Sequence, residues 1–481
     1  SLAAIGNSSL AKEIYEQGIS FLSIMTPYFK MTNLEIDALM YGLSCFNDEQ
    51  YVQSLYPKFI CLLAGKRASP SSPTFFIMQP QVLKLLLQTY SQPTILETIV
   101  DYISQLCNFA RTNLILCAES GIDLVLLSYL EKAKKYENYQ ESLVKKILNL
   151  YSLVASRYTT PQSCLKYISL LSPLNETDIS KYQLTFIQTL NSIIVNSFNE
   201  PSSSFLLDTT NFFVKRVPYS KKQNPIFSIT FWIYIEPDIS DNHPNICSIW
   251  LTPDLAIGAF VSNGQLFIYH IFDNVLHHQS ISGTLSVHKW HFIAISFDFS
   301  YEKGTLIYYR IDCEKKQLLL FPLIRENLNS QSITVELGEH EAKTKPLLTP
   351  SRLTQFGLFE GHKIEEFIQI YELGIRFNDP KNVPLDPLFY KCDFEEFDQS
   401  KTSRFTDVFI EQCGVNCILP LFLQTDMAMD GKPFTLSLET IITLLNDILS
   451  YSFYSQLSFS QSKGFNIIAE LLTQRWTKYF T

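Results

Sequence analysis

Charge is what this chain has least of. Only 18% of its 481 residues are charged while 46% are hydrophobic, so disorder is not expected and well-filled cores are. There is no basic excess either: the formal net charge is −9 and the pI is near 5.5, which excludes a nucleic-acid-binding role built on phosphate contacts. The nearest basic cluster, Lys215, Arg216, Lys221 and Lys222, is short and reads as a solvated loop rim. No apolar run reaches the ~20 residues that span a bilayer, and Ser1 to Asn7 lacks a basic stretch ahead of an apolar one. No transmembrane segment is therefore expected. Because the chain opens on Ser and stops directly after an apolar helical stretch, Ile467 to Tyr479, a longer polypeptide is expected.

Chemical signatures are also missing. There is no Gly-x-Ser-x-Gly elbow, no Gly-rich phosphate loop ending in Lys-Ser/Thr and no His-Glu-x-x-His, so a non-enzymatic chain without cofactors is expected. The densest acids, Asp393, Glu395, Glu396 and Asp398, fall in a polar connector rather than as a catalytic pair on one strand. The ten Cys show no framework spacing, and Cys45, Cys61, Cys107 and Cys117 sit in apolar helical contexts, as free thiols of a reducing, cytoplasmic compartment do. Cys413 and Cys417 are four apart, but no other Cys or His stands nearby in sequence to complete a tetrahedral set, so no metal site is expected. All eight His lie between His243 and His362. His277-His278 read as a loop after a strand, and His288 and His291 bracket Trp290 at a spacing that separates them onto opposite faces.

What is present falls into two patterns. From Leu10 to about Phe198 apolar residues recur at helical spacing, as in Leu34 to Cys45, Gln81 to Tyr90, Ile95 to Ala110, Ile122 to Tyr136, Tyr139 to Ser156 and Asp178 to Asn196. Helical openings of one plan begin at Gly121, Gly414 and Gly464, where Gly permits a left-handed turn and Asp123, Asn416 or Asn466 can cap the next helix. Gly414 and Gly464 are 50 residues apart, a little over the ~40–47 of armadillo or HEAT units, and a loop at Asp426 to Pro433 accounts for the excess. An armadillo-like α-solenoid is the expected architecture.

Pro201-Ser202-Ser203-Ser204 breaks the helical pattern. Phe227 to Ile235 then alternates as a strand with one face buried, and strands follow at Ile246 to Leu251, Leu255 to Val261, Gln265 to Ile271, His288 to Phe297 and Thr305 to Ile311. Asn263-Gly264 marks a hairpin turn and Lys303-Gly304 another. Further strands are expected at Gln317 to Pro322, Ser332 to Leu337, Arg352 to Phe359 and Gln369 to Arg376, a set best accommodated in a two-sheet antiparallel sandwich. Lys289-Trp290-His291 is expected to place Trp290 between the sheets, with Lys289 and His291 outward.

The strand order, from Phe227-Ser228-Ile229 with Trp232-Ile233 through Asn263-Gly264 and Lys289 to Ile295 to Gln369 to Phe377, resembles the concanavalin A-like, laminin-G-like jelly roll. Flanked by helices, and followed by Gly414-Val415-Asn416-Cys417-Ile418-Leu419-Pro420-Leu421-Phe422, the arrangement resembles the N-terminal half of BEACH-domain proteins of the neurobeachin, beige and LRBA type. Cys413 stands where that family's pattern has the first of two glycines. The resemblance implies residues 1–200 as armadillo-like helices, 201–390 as the sandwich and 391–481 as a further helical segment. It also implies a scaffold that presents surfaces to proteins of the membrane-trafficking machinery, cytoplasmic and peripheral to membranes through other domains. The alternative is a lectin-like glycan-binding module, for which Trp250, Tyr269, His270 and Tyr308 are the candidate contacts because aromatic faces stack on sugars. Apolar residues at both junctions, among them Phe205, Leu206, Phe213 and Leu388, lead to the expectation that residues 205–225 and 380–400 pack against the helices.

Overall fold

The computed structural model describes residues 9–479 apart from short stretches, the longest being 199–204, 208–212, 219–225, 237–244, 323–331, 339–350, 374–387, 392–404 and 430–437. The turn at Asn263-Gly264, the acids from Asp393 to Asp398 and most of both junctions lie outside the described residues. The chain forms two compact units, one from Ser1–Glu200 together with Thr402–Thr481 and one from Pro201–Lys401. The trailing helices are thus part of the first unit and not a third body.

Local chemistry sets the helix ends in the first unit. Thr32 and Glu35 form a capping box at Asn33–Ser44, Asp48 accepts from the Tyr51 amide at 3.1 Å, and Pro opens the first turn of Tyr56–Ala64, Pro93–Phe109 and Pro161–Leu170. Gly121 takes φ 76° between Arg111–Glu119 and Ile122–Lys135. Asp123 acts from inside that first turn, accepting from its own and the Leu124 amide and from Ser163. At Gly464 the expected left-handed residue is instead Lys463, with φ 60°. Gly464 is required for a different reason: a Cβ there would stand 2.4 Å from the Phe459 ring.

One continuous apolar core runs from Ile19 to Phe459 and includes both parts of this unit. The expected helix from Asp178 starts at Gln183, because β1 (Asp178–Ile179) pairs in parallel with Ala428–Met429. Gln183 and Gln424 both donate to the Leu171 carbonyl, at 2.6 and 2.9 Å, and Gln183 also donates to Gln424 Oε1 at 2.7 Å. The buried hydroxyls of Ser197 and Thr406 meet at 3.1 Å. The Gln183–Gln424 and Ser197–Thr406 contacts join residues more than 200 positions apart.

The second unit is an antiparallel sandwich of jelly-roll type. One sheet has the order β11-β10-β9-β4-β13-β14, formed by β11 (Gln317–Phe321), β10 (Thr305–Ile311), β9 (Trp290–Asp298), β4 (Ile226–Tyr234), β13 (Ser351–Glu360) and β14 (Leu388–Lys391). In that sheet β2 (Phe205–Leu207) also pairs with β13. The other sheet has the order β3-β12-β5-β6-β7-β8, formed by β3 (Phe213–Pro218), β12 (Ser332–Leu337), β5 (Asn245–Thr252), β6 (Leu255–Ser262), β7 (Gln265–Phe272) and β8 (Val275–Thr284). Alternate residues of both sheets, such as Ile229, Phe231, Ile249, Ile257, Ile295 and Val335, fill the core between them.

Three expectations need correction. The described start of the expected strand Gln369 to Arg376 is helical: Ile364–Phe367 and Ile368–Leu373 form helical turns, residues 374–376 lie outside the described residues, and Ile364, Phe367 and Ile370 cover Trp232, Trp290 and Phe292 on the outer face of the β4–β9 sheet. His277-His278 are within β8 rather than a loop. The faces of β9 are also reversed: Trp290 belongs to that outer cluster, while His291 is buried on the other side. His291 is held because its Nδ1–H donates to Asp312 Oδ2 at 2.9 Å and Asp312 Oδ1 accepts the Phe292 amide at 2.8 Å.

Candidate binding face of the sandwich

Strand alternation builds this face. On β5, Cys247, Ile249 and Leu251 enter the core, so Ser248, Trp250 and Thr252 point outward; on β12, Ile333, Val335 and Leu337 do the same for Ser332, Thr334 and Glu336. Register then aligns Arg216, Thr334 and Trp250 across β3, β12 and β5, and aligns Glu336 with Ser248 in the next row. The half-buried Trp250 donates its indole N–H to Glu336 Oε2 at 2.9 Å. Around this pair lies an open groove of about 440 Å³ whose lining includes Arg216, Trp250, Thr252, Pro253, Thr334 and Glu336.

Beside the groove the same face becomes aromatic. Phe260 and Phe267 are cross-strand partners with rings stacked 4.9 Å apart, and His278 stands 5.9 Å from each. Tyr269 links the two regions. Its ring is 6.0 Å from Phe260, and its buried hydroxyl meets Ser248 Oγ at 2.6 Å and donates toward Asn245 Oδ1 at 3.2 Å. Burial raises the phenol well above its usual range.

The four residues predicted from sequence therefore separate. Trp250 and Tyr269 share the outer face of the β3–β8 sheet. His270, their neighbour in sequence, points the other way, 4.9 Å from Phe321 and 5.0 Å from His277, with Nδ1 buried and lacking a hydrogen-bond partner. Burial, then His277, pushes its pKa down to about 4. Tyr308 lies on the outer face of the opposite sheet, packed against the Trp232 and Phe292 cluster under the helix. Arg216, Thr334, Glu336, Phe260 and Phe267 were not predicted. Alternation alone could have placed them outward, but only the pairing of β3 with β12 and β12 with β5 brings Arg216 and Glu336 to Trp250.

Ser286, His291 and Asp312 have the connectivity of a nucleophilic triad, with Ser286 Oγ 3.0 Å from His291 Nε2. The same Nε2 is also 3.1 Å from the Ser286 carbonyl, so the ring is fixed through both of its nitrogens. This geometry suits a lock on the start of β9 better than a general base. The thiols also depart from expectation, since Cys164 comes to Cys413 and Cys417 from a remote part of the sequence. Among the described residues no group of three or more His, Cys, Asp or Glu could hold a metal ion. Among them, too, no single helix is long and apolar enough to cross a membrane.

No family model matches the chain, and no curated protein matches it. Several solved structures are similar to it over about a third of its length. A structure described as "Cell entry of botulinum neurotoxin type C is dependent upon interaction with two ganglioside molecules" is 13% identical over 36% of this chain and 47% of that one, with a TM-score of 0.24. A SAP-like pentraxin from Limulus polyphemus is 11% identical over 33% and 70%, TM-score 0.24, and mouse laminin α1 domains LG4-5 are 11% identical over 34% and 40%, TM-score 0.22. The chain spans about half the length of the neurotoxin structure it matches. Likenesses this distant carry no inference about a ligand.

Proposed function

We propose that this chain is a non-enzymatic scaffold region of a BEACH-type trafficking protein, cytoplasmic, presenting helical and sandwich surfaces to protein partners. The observation that carries the reading is the insertion itself: helices on both sides of a 201-residue sandwich unit close into one core through Gln183, Gln424, Ser197 and Thr406. Such an arrangement holds a folded module on a helical frame without using it to complete that frame. The motif from Gly414 to Phe422 supports the family. A groove of about 520 Å³ in the helical unit, lined in part by Lys84, Gln88, Ser120, Tyr129 and Lys132, offers a surface for acidic segments of a partner. Sequencing the transcript past Thr481 tests the assignment: a BEACH-like domain downstream is expected, and a long continuation without one removes it.

A second reading is favoured by the Trp250 groove. An indole edge fixed by a carboxylate, with Arg216 and Thr334 beside it, combines an apolar face with donors and acceptors as carbohydrate sites do. Glycan-array binding lost in both Trp250→Ala and Glu336→Gln, with the melting profile retained, would establish a lectin-like module. An array without signal leaves the face to proteins.

A further inference from the structure

The first described helix, Ser9–Met25, has two apolar faces. Its inner face is short: Ile19 is fully buried, and Tyr15 and Leu22, one turn to either side, pack on the core of the helical unit. The Tyr15 hydroxyl fixes that face by donating to the Leu39 carbonyl at 2.7 Å. On the opposite side Leu10, Ile14, Phe21 and Ile24 are 61%, 62%, 61% and 70% exposed. A surface helix ordinarily carries polar residues there. Glu141–Arg157 of the same unit does so, with Glu141, Ser142, Lys145 and Asn149 at its exposed positions.

The outer residues also keep a strict period. Leu10, Ile14, Gln17, Phe21 and Ile24 follow one another in alternating steps of four and three, the 3.5-residue repeat of a coiled-coil seam, with Gln17 its one polar member. So narrow a stripe fits a second helix, whereas a lipid surface calls for a wider apolar arc. Gly18, at the edge of the seam, is an independent sign. A Cβ added there would meet nothing within 4 Å, so the helix carries in its middle a glycine that its own packing does not use. Gly42 is the contrast, since a Cβ there would stand 2.5 Å from the Tyr15 ring. A mid-helix glycine weakens a helix. Beside the seam it lets another backbone come close, because the side chains at the contact set the distance between packed helices.

We propose that this seam is a dimerisation surface and that its occupant is the same helix of a second copy of the chain. Charge along the rim favours a like partner. Lys12 and Glu16 are engaged with Asp48 and Lys58 of their own chain, which leaves Glu13, the acceptor of the Gln17 amide at 3.2 Å, as the helix's remaining charge. Flanking charges select a partner of opposite sign where they are numerous; a nearly neutral rim neither demands one nor repels its own copy. Gln17 is the middle position of the seam, so it falls beside its own copy whichever way the two helices run. There the two side-chain amides can bond each other instead of being buried alone. The four apolar side chains of two copies present on the order of 900 Å², and the rim brings this to the roughly 1,000 Å² at which a specific interface begins. An interface of that size makes a reversible dimer. Dimerisation does not depend on the family assigned to the chain, and it doubles whatever surfaces the chain presents.

Sedimentation velocity of the 481-residue protein, from about 1 to about 100 µM, is the test. The expected result is a monomer–dimer equilibrium with a dissociation constant on the order of 10 µM. Phe21→Lys should weaken association at least roughly tenfold and leave circular dichroism and melting temperature as in the parent, because Phe21 faces solvent in the single chain. Gly18→Gln should weaken it similarly by holding the two helices apart. Its side chain enters open space in the single chain and glutamine is the better helix former, so loss of fold cannot mimic that effect. A protein that stays monomeric to the top of the range, or a dimer that keeps its affinity in either variant, overturns the proposal.

Discussion

The Tyr269 hydroxyl reaches Ser248 at 2.6 Å by passing over Gly258, the residue of β6 that separates their two strands. A Cβ at Gly258 would stand 2.5 Å from the Tyr269 ring and 2.2 Å from the Cys247 carbonyl. Gly258→Ala should therefore cost more than an ordinary strand glycine, about 2–3 kcal/mol, since backbone and a locked ring must both move. Tyr269→Phe keeps the ring and loses the hydroxyl, for about 1 kcal/mol. Urea denaturation of the two variants gives the ranking, and an alanine milder than the phenylalanine would contradict it.

The helical unit depends on a shared acceptor. Leu171 O takes hydrogen bonds from both Gln183 and Gln424, which also bond each other, all of them buried. Gln424→Leu should cost about 2–3 kcal/mol, because Gln183 loses a partner in a site closed to water. Amide exchange should then quicken in Gln183–Phe198 and in Leu438–Ser450, which packs against it. Faster exchange confined to the later helix would show that the two parts are less coupled than this geometry requires.

Much of this was legible in the sequence, and for definite reasons. Period-two alternation of strongly β-forming residues gave β4, β9 and β10 nearly to the residue, since both sheet faces are constrained there. The expected strand at Gln369 to Arg376 misled over Gln369 to Leu373 because a short helix lying on a sheet is apolar on a face that a strand pattern mimics. Trp290 and His291 were exchanged because a covered outer face accepts tryptophan, while a histidine can be buried once Asp312 meets it. The groove was only half visible. Trp250 stood out by type, but its neighbours Arg216 and Glu336 come from strands paired over long separations, and register of that kind is not encoded locally.

His270 makes the sandwich sensitive to acid. Its folded pKa of about 4 is below the ordinary 6.5, so the neutral form is the one the fold tolerates. The sign follows: stability is full above pH 6.5 and falls as pH drops from there toward 4, by at most roughly 3 kcal/mol at the lower end. His270→Phe should remove that part of the pH dependence. Denaturation of both proteins at pH 7 and pH 4.5 isolates it, and a pH response unchanged by the substitution would place the acid lability elsewhere.

Asp123 behaves in the opposite sense in the helical unit. It is 4% exposed, and burial raises its pKa despite hydrogen bonds from Ser163 and the Leu124 and Asp123 amides and the charge of Lys166. A carboxyl whose folded pKa is raised is most compatible with the fold when protonated, so its ionisation subtracts stability above that pKa and nothing below the unfolded value. Asn keeps an oxygen for the amides and carries no charge. Asp123→Asn should therefore stabilise the protein at neutral pH, with the gain shrinking as pH falls through the carboxylate range. Melting curves of the two proteins at pH 7 and pH 4 measure this directly. A loss of stability at pH 7 would mean that the Lys166 attraction outweighs burial, and would make Asp123 an anchor for the Pro161–Leu170 helix.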